Sequence, residues 1–336
     1  MKIRFRTTTP SDETAIVELL KSAGLGVDAR AGRLEWKYWT ERADWPGSRS
    51  YVLGDGRELY AHAAVVPGAI LWGGARARVI HMIDWAAAPA RIGAGLTLMR
   101  RIGGLADALI GVGGSQATRG MLPLAGFRAC GSATVYLRML RPLHGLSDRQ
   151  DWSWRTLPRL ARDLWWALTA PAVRRGPWRA LHVRVEDLPS IEAVLPKPRA
   201  SMAVFERSVA GLAHFLRCPF VPFFAYALEQ GGVRKGYFLL AQVGAQARIA
   251  DCWVDSEQRE DWLALVHCIV ESARALPGVG EIVAVASDPL LDGALQATGF
   301  HARRTDTVLI RLRPDFPLDP PALRFQPIDS DAAYLP

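Results

Sequence analysis

Two stretches of the sequence repeat one pattern, and that repeat constrains the fold more than any other feature. Residues 50–85, SYVLGDGRELYAHAAVVPGAILWGGARARVIHMIDW, read as a short strand, a turn at Asp55-Gly56, a longer apolar strand, a second turn and a strand ending at Trp85. Residues 225–253, AYALEQGGVRKGYFLLAQVGAQARIADCW, repeat the order with a turn at Gly231-Gly232 and an end at Trp253. Each copy continues into a helix, an apolar strand, a short helix and a Gly-Phe pair. The first runs through ADALIGVGGS to LPLAGFRACG, the second through EIVAVAS to LQATGFHARR. Two copies of one unit account for a chain of 336 residues, more than twice a usual domain of roughly 150 residues.

The first copy starts at the N-terminus. Ser11 is expected to cap a helix with Asp12 and Glu13 in its first turn, and Ile16, Leu19, Leu20 and Ala23 form its apolar face. The sequence therefore divides into a first domain over 1–145, a linker with helical content over 146–199 and a second domain over 200–336 with a Pro-rich, extended tail. In the Trp- and Arg-rich linker, a helix over 157–168 would place Leu157, Leu160, Ala161, Leu164, Trp165 and Leu168 on one face. Arg159, Arg162, Asp163 and Trp166 would lie opposite. The helix suits either packing between the two halves or, with Trp beside Arg, weak peripheral contact with an anionic membrane.

Composition narrows the function classes. The start lacks the apolar core of a signal peptide and no run reaches the ~20 apolar residues of a spanning helix, so a cytoplasmic protein is expected. Cys130, Cys218, Cys252 and Cys268 are scattered singly, without metal-ligand spacing, and are read as buried thiols with no metal site. The net charge of +8 favours anionic partners such as phosphates, nucleotides or a lipid surface. No nucleic-acid module is recognisable, so no specific nucleic acid is expected. There is no nucleophile elbow, no His-Glu-x-x-His and no phosphate loop ending in Gly-Lys-Ser/Thr.

The stretch DWAAAPARIGAGLTLMRRI, residues 84–102, places Gly93 and Gly95 between a strand and a helix. Bare backbone there permits a tight turn. It also lets a pyrophosphate approach the converging N–H groups of a helix N-terminus, where the macrodipole adds positive charge. Strands, a Gly loop opening a helix, a strand, a short helix and Gly-Phe follow one another in both halves. In this the chain resembles a tandem protein of the GNAT superfamily of acyl-CoA-dependent N-acyltransferases. The expected fold is α/β, with two GNAT-like mixed-sheet domains in tandem joined by the helical linker.

The resemblance implies a pyrophosphate loop at Ile92, Gly93, Ala94, Gly95, Leu96 and Thr97. The family's leading Arg is replaced by Ile92 and its closing Gly by Thr97, and Arg91 stands one place earlier. It also implies a splayed fourth strand, VIHMIDWAA, whose end at Trp85, Ala86 and Ala87 takes the pantetheine arm; Trp85 fits core packing equally well. The implied donor is acetyl-CoA or another acyl-CoA, and the acceptor an amine of a small molecule or a cell-envelope precursor. The Tyr that often serves as acid in the family is Leu122 in the first copy and Leu295 in the second. As base the chain offers His81 and Asp84, which on a regular strand point to opposite faces unless a bulge intervenes at Asp84. Ser115 could polarise a carbonyl or cap the next helix with Thr118 in its first turn. The second copy has no glycine at the loop and carries Asp255, Glu257 and Glu260 where phosphates would lie, so it is expected to keep the fold without the site. Two other functions fit the same outline: a non-catalytic tandem binding or scaffold protein, and a Fem-type aminoacyl transferase.

Overall fold

In the computed structural model, residues 3–26, 32–143, 156–172, 176–316, 320 and 322–335 are described. The elements of the first part are β1 (Arg4–Thr7), α1 (Glu13–Ser22), β2 (Ser50–Gly54), β3 (Leu59–Trp72), β4 (Ala75–Ala87), α2 (Ala94–Gly103), β5 (Ala108–Val112), α3 (Gln116–Leu124) and β6 (Arg128–Met139). A π-helical turn over Glu35–Trp39 lies between α1 and β2. Then follow α4 (Thr156–Thr169), β7 (Trp178–Val183), β8 (Ala203–Phe205), α5 (Val209–Leu216), β9 (Phe223–Gln230), β10 (Val233–Val243) and β11 (Gln246–Val254). The chain ends through α6 (Arg259–Ala275), β12 (Glu281–Ala286), α7 (Pro289–Ala297), β13 (His301–Leu312) and β14 (Leu323–Arg324). None of the described helices is long and apolar enough to cross a membrane.

The chain forms two compact units, and neither is continuous in sequence. Unit 1 comprises residues 1–131, 198–206 and 307–322; unit 2 comprises 132–197, 207–306 and 323–336. In unit 1, β1, β2, β3 and β4 pair antiparallel in order, β5 joins β4 in parallel, and residues 308–312 of β13 pair antiparallel with β5. In unit 2, β7, β9, β10 and β11 pair antiparallel in order, β12 joins β11 in parallel, and residues 134–139 of β6 pair antiparallel with β12. The succession of orientations is the same in both sheets. Each sheet takes its last strand from the other half of the sequence, which is why the units do not follow the repeat boundaries.

The hairpins sit where the turn residues placed them. Gly73-Gly74 and Gly231-Gly232 both have positive φ at each residue, as a two-residue turn matched to strand twist requires. The middle of β3 is apolar on both faces because both are covered. On one face Leu98, Met99 and Ile102 of α2 meet Ala61, Ala63, Val65 and Ile80; on the other Ile16 and Leu20 of α1 meet Ala64 and Ile83.

Three local readings differ from the sequence expectation. Ser11 does not cap α1: Thr9 and Asp12 form a reciprocal capping box over a preceding 3-10 turn, and Asp12 precedes α1 while bonding Arg6 at 2.7 Å. Ala23 lies past the helix and is exposed, whereas Ile16, Leu19 and Leu20 are buried. The tail is not simply extended, since Pro327–Asp329 make a 3-10 turn and Leu323, Phe325, Gln326 and Ala333 are almost fully buried. Within 146–199 the helix is present as α4, and β7 is an edge strand of the unit 2 sheet.

Candidate active site

The site is built where β4 parts from β5. Pairing between them runs only from Val79 to His81 against Ala108 to Ile110. β4 then continues to Ala87 with β3 as its partner, and the edge facing β5 leaves that ladder. Its register against β3 slips by one residue between His62 and Ala64, so Asp84 and Trp85 together oppose Ala63. This is a β-bulge, and Asp84 at φ 46° is the one non-glycine with positive φ among the described residues. The bulge moves the side chain of Asp84 to the α1 side, where Ile83 also packs. His81, two residues before Ile83, shares that face by strand alternation and is 6% exposed. The opposite-face relation of a regular strand therefore does not hold for these two.

Two segments bond Asp84, and a third backs one of them. Its Oδ2 accepts a hydrogen bond from the Tyr38 hydroxyl at 2.6 Å and lies 2.6 Å from the Lys37 ammonium. Both donors come from the π-helical turn, whose Trp36, Lys37 and Tyr38 are buried. On β3, His62 donates from Nδ1 to the Asp84 carbonyl oxygen at 3.1 Å, and its Nε2 meets the hydroxyl of Ser50 on β2 at 3.0 Å. Burial by itself would raise the Asp84 pKa, but the Lys37 charge and the bonds from Lys37 and Tyr38 outweigh it and the carboxyl lies below its ordinary value. Asp84 is thus ionised at neutral pH and a weak base. His62 is pushed down to about 4 by burial and is neutral there.

The loop after β4 has two glycines with different local reasons. Gly93 precedes α2 at φ 81°, and a Cβ there would meet nothing within 4 Å. Gly95 is helical; a Cβ would sit 3.4 Å from both the Ala87 Cβ and the Trp85 Nε1. The Trp85 indole donates to the Gly95 carbonyl at 3.2 Å and its ring packs against the α2 core, while Ala86 is buried on the α1 side. Thr97 ties the first turn by donating its hydroxyl to the Gly93 carbonyl at 3.0 Å. The first-turn N–H groups around Gly95 and Leu96 have no partner within the helix, as at any helix start. Beside them Ile92 is 99% exposed, and Arg91 pairs with Glu58 at 2.7 Å while its guanidinium lies 4.1 Å from the Tyr60 ring centroid. Open space, unpartnered donors and a nearby cation fit a phosphate-bearing ligand.

Ser115 caps α3, accepting from the Thr118 N–H at 3.1 Å. Leu122 is 6% exposed in the core. Among the described residues no group of three or more His, Cys, Asp or Glu is placed to hold a metal ion; Cys130, Cys252 and Cys268 are buried thiols outside any disulfide, whereas Cys218, expected to be buried, is only half-buried.

Sequence reading missed Lys37, Tyr38, His62 and Ser50. The signals were a lysine inside the aromatic run EWKYW and a lone histidine in the apolar run LYAHAAVV.

Unit 2 carries a bulge at the corresponding place, between Leu239 and Leu240 of β10 where Asp251 and Ile249 pair. Its β11 and β12 likewise pair only over Gln246 to Arg248. There the chain's own tail bridges the gap. Arg324 reaches the Cys252 carbonyl, Gln326 donates to the Val285 carbonyl at 3.4 Å, and the Phe325 N–H donates to the Ser287 hydroxyl at 2.7 Å. Beneath it Arg207 pairs with Asp251 at 2.7 Å and Asp329 at 2.6 Å, all buried. Asp255 pairs with Lys197 at 3.0 Å.

Compared by sequence, the chain matches no protein-family model and no curated protein. Compared by structure, it is similar to a GCN5-related N-acetyltransferase from Anabaena variabilis, with a TM-score of 0.57 at 11% identity over 93% of this chain and 73% of that one. A conserved protein of unknown function from Enterococcus faecalis gives a TM-score of 0.61 at 13% identity over 93% and 73%. A GCN5-related N-acetyltransferase from Kribbella flavida gives 0.56 at 15% identity over 93% and 71%. With its splayed fourth strand and glycine loop, the chain has the fold of the GCN5-related N-acetyltransferases.

Proposed function

We propose that unit 1 is an acyl-CoA-dependent N-acyltransferase of the cytoplasm, with acetyl-CoA as donor and an amine of a small molecule or cell-envelope precursor as acceptor. The observation that carries this reading is the succession, along one strand, of a splay, a bulge at Asp84 and a glycine turn into α2. Acyl-CoA would supply an activated acyl group as a thioester. The N–H groups of Gly95 and Leu96, which the first turn leaves unused, would hold its phosphates, with Arg91 nearby. The unpaired edge of β4 from Met82 to Ala87 would receive an extended arm as it would another strand. A bulge leaves a backbone N–H outside the ladder, and a fixed donor of that kind polarises a carbonyl.

The acceptor amine has to reach the thioester uncharged. His81 is the candidate to remove its proton, as the imidazole that shares the face of Asp84. Asp84 is held ionised and charge-balanced, so its role is to orient the amine. With Leu122 buried, the proton for the leaving thiolate comes from water. We further infer that the two halves are tandem copies and that unit 2 takes no donor, because its own tail occupies the matching gap.

Calorimetric titration of the full chain with acetyl-CoA, alongside thermal unfolding, tests the reading. A ligand at a hundredfold excess over its Kd stabilises the native state by about 2.7 kcal/mol. Absence of both heat and stabilisation would favour the scaffold alternative.

A further inference from the structure

α4 docks with its polar side inward. Trp166 stacks on His301 with ring centroids 4.1 Å apart, Arg303 lies 5.2 Å from the Trp166 centroid and Arg162 lies 4.7 Å from it. Asp163, whose side chain is 15% exposed, is bonded to Arg162 at 2.6 Å. The other side carries the apolar residues. Leu157 is 59% exposed, Trp165 65% and Leu168 82%, and Ala161 between them is also exposed. At 100° per residue these four fall within one narrow stripe along the helix. An ordinary surface helix buries such a stripe and shows its charges. Here Leu160 and Leu164 are only half-buried, and Leu157, Trp165 and Leu168 beside them stay outside.

We propose that this stripe docks unit 2 onto an anionic lipid surface, with the axis of α4 parallel to the membrane plane. The side chains suit that partner. Leu157 and Leu168 are purely apolar, and Trp165 has the amphipathic ring favoured at the boundary of headgroups and acyl chains. The charges suit it too. At the β13 start that α4 packs on, Arg303 and Arg304 are exposed against the single Asp306, Arg162 is balanced by Asp163, and the whole chain carries +8. A second copy would bring the same positive surface against itself, whereas an anionic bilayer offers both the opposite charge and an apolar interior. Nothing in this proposal depends on acyl transfer.

The test is co-sedimentation of the full-length protein with phosphatidylcholine vesicles, with and without phosphatidylglycerol, at low salt. Wild-type protein is expected to pellet with the anionic vesicles. A double variant, Trp165→Gln with Leu168→Gln, is expected to bind at least tenfold more weakly, since its substitutions are on exposed positions and circular dichroism can verify the fold. Neutral vesicles and high salt should each reduce binding. Wild-type protein left in the supernatant, or a double variant that pellets equally, would overturn the proposal. Equal binding to neutral vesicles would overturn the role of charge. A wild-type dimer in light scattering that the double variant turns into monomer would assign the stripe to a second copy instead.

Discussion

His62 and Asp84 are joined by a bond that only one tautomer of the imidazole can make. The Asp84 carbonyl, 3.1 Å from His62 Nδ1, can only accept, so Nδ1 carries the hydrogen and Nε2 accepts from the Ser50 hydroxyl at 3.0 Å. A fully buried, neutral histidine therefore holds the one non-glycine residue of positive φ among those described. A conformation of that kind costs about 1–2 kcal/mol and persists only where its surroundings over-determine it.

Stability should fall in acid through His62. Its folded-state pKa of about 4 lies below the ordinary histidine value of 6.5, so between these pH values the unfolded chain binds the extra proton. Its contribution is complete above about pH 6.5 and is lost progressively as pH falls toward 4, up to about 3 kcal/mol in all. His62→Asn should be less stable than wild type at pH 7 and show a flatter dependence over that window. Urea unfolding at several pH values reads both, and an unchanged slope in the variant would remove His62 from the account.

Lys37→Met should leave the Asp84 carboxylate, 22% exposed, without its cation. Removing one member of a largely buried pair costs on the order of 2–3 kcal/mol, somewhat less than for a fully buried one. Adding Asp84→Asn removes the orphan charge, so the double variant should recover part of the loss. Denaturation midpoints of the two single variants and the double variant give the coupling directly. In turnover assays His81→Ala should lower kcat with little change in acetyl-CoA affinity, because a base acts in the transition state.

The loop glycines should separate by mechanism. Gly93→Ala places a Cβ in open space but at φ 81°, so it should cost roughly 1 kcal/mol of stability. Gly95→Glu adds a negative charge beside the proposed phosphates and should weaken acetyl-CoA binding roughly tenfold to a hundredfold. Asp255→Asn, which only breaks an exposed pair with Lys197, should leave affinity unchanged. Calorimetry on folded variants distinguishes these outcomes; a change on Asp255→Asn would move the donor site to the other half.

Arg207 is the charge that holds the tail in unit 2. Arg207→Met would leave Asp251 and Asp329 buried without their cation, a loss of about 3–5 kcal/mol. Proteolysis should then release the C-terminal residues before the rest of the chain. Full protection of the tail in that variant would show that packing of Phe325 and Ala333 suffices.

Much of the architecture is legible in the residues because it is written at short range. Alternation in β2 to β4 and β9 to β11, paired glycines at 73–74 and 231–232, and the Ile16, Leu19 and Leu20 face of α1 each depend on neighbours a few positions away. The glycine at 93 is of the same kind, since a left-handed residue before α2 needs no distant partner. What the tertiary structure decided are the choices between surfaces that no local pattern ranks. Lys37, Tyr38 and His62 meet Asp84, and Ser50 backs His62, only because the π-helical turn, β2 and β3 exclude water around the bulge; the Ser50–His62 and Tyr38–Asp84 bonds join residues 12 and 46 positions apart. The exchange of β6 and β13 has the same origin: a strand's alternation fixes which faces it offers, but not which open edge it joins. α4 shows the limit most clearly, for its stripe was readable as a stripe. Its outward direction was settled by Trp166 finding His301 and Arg303, residues more than a hundred positions away whose contact with it no periodicity records.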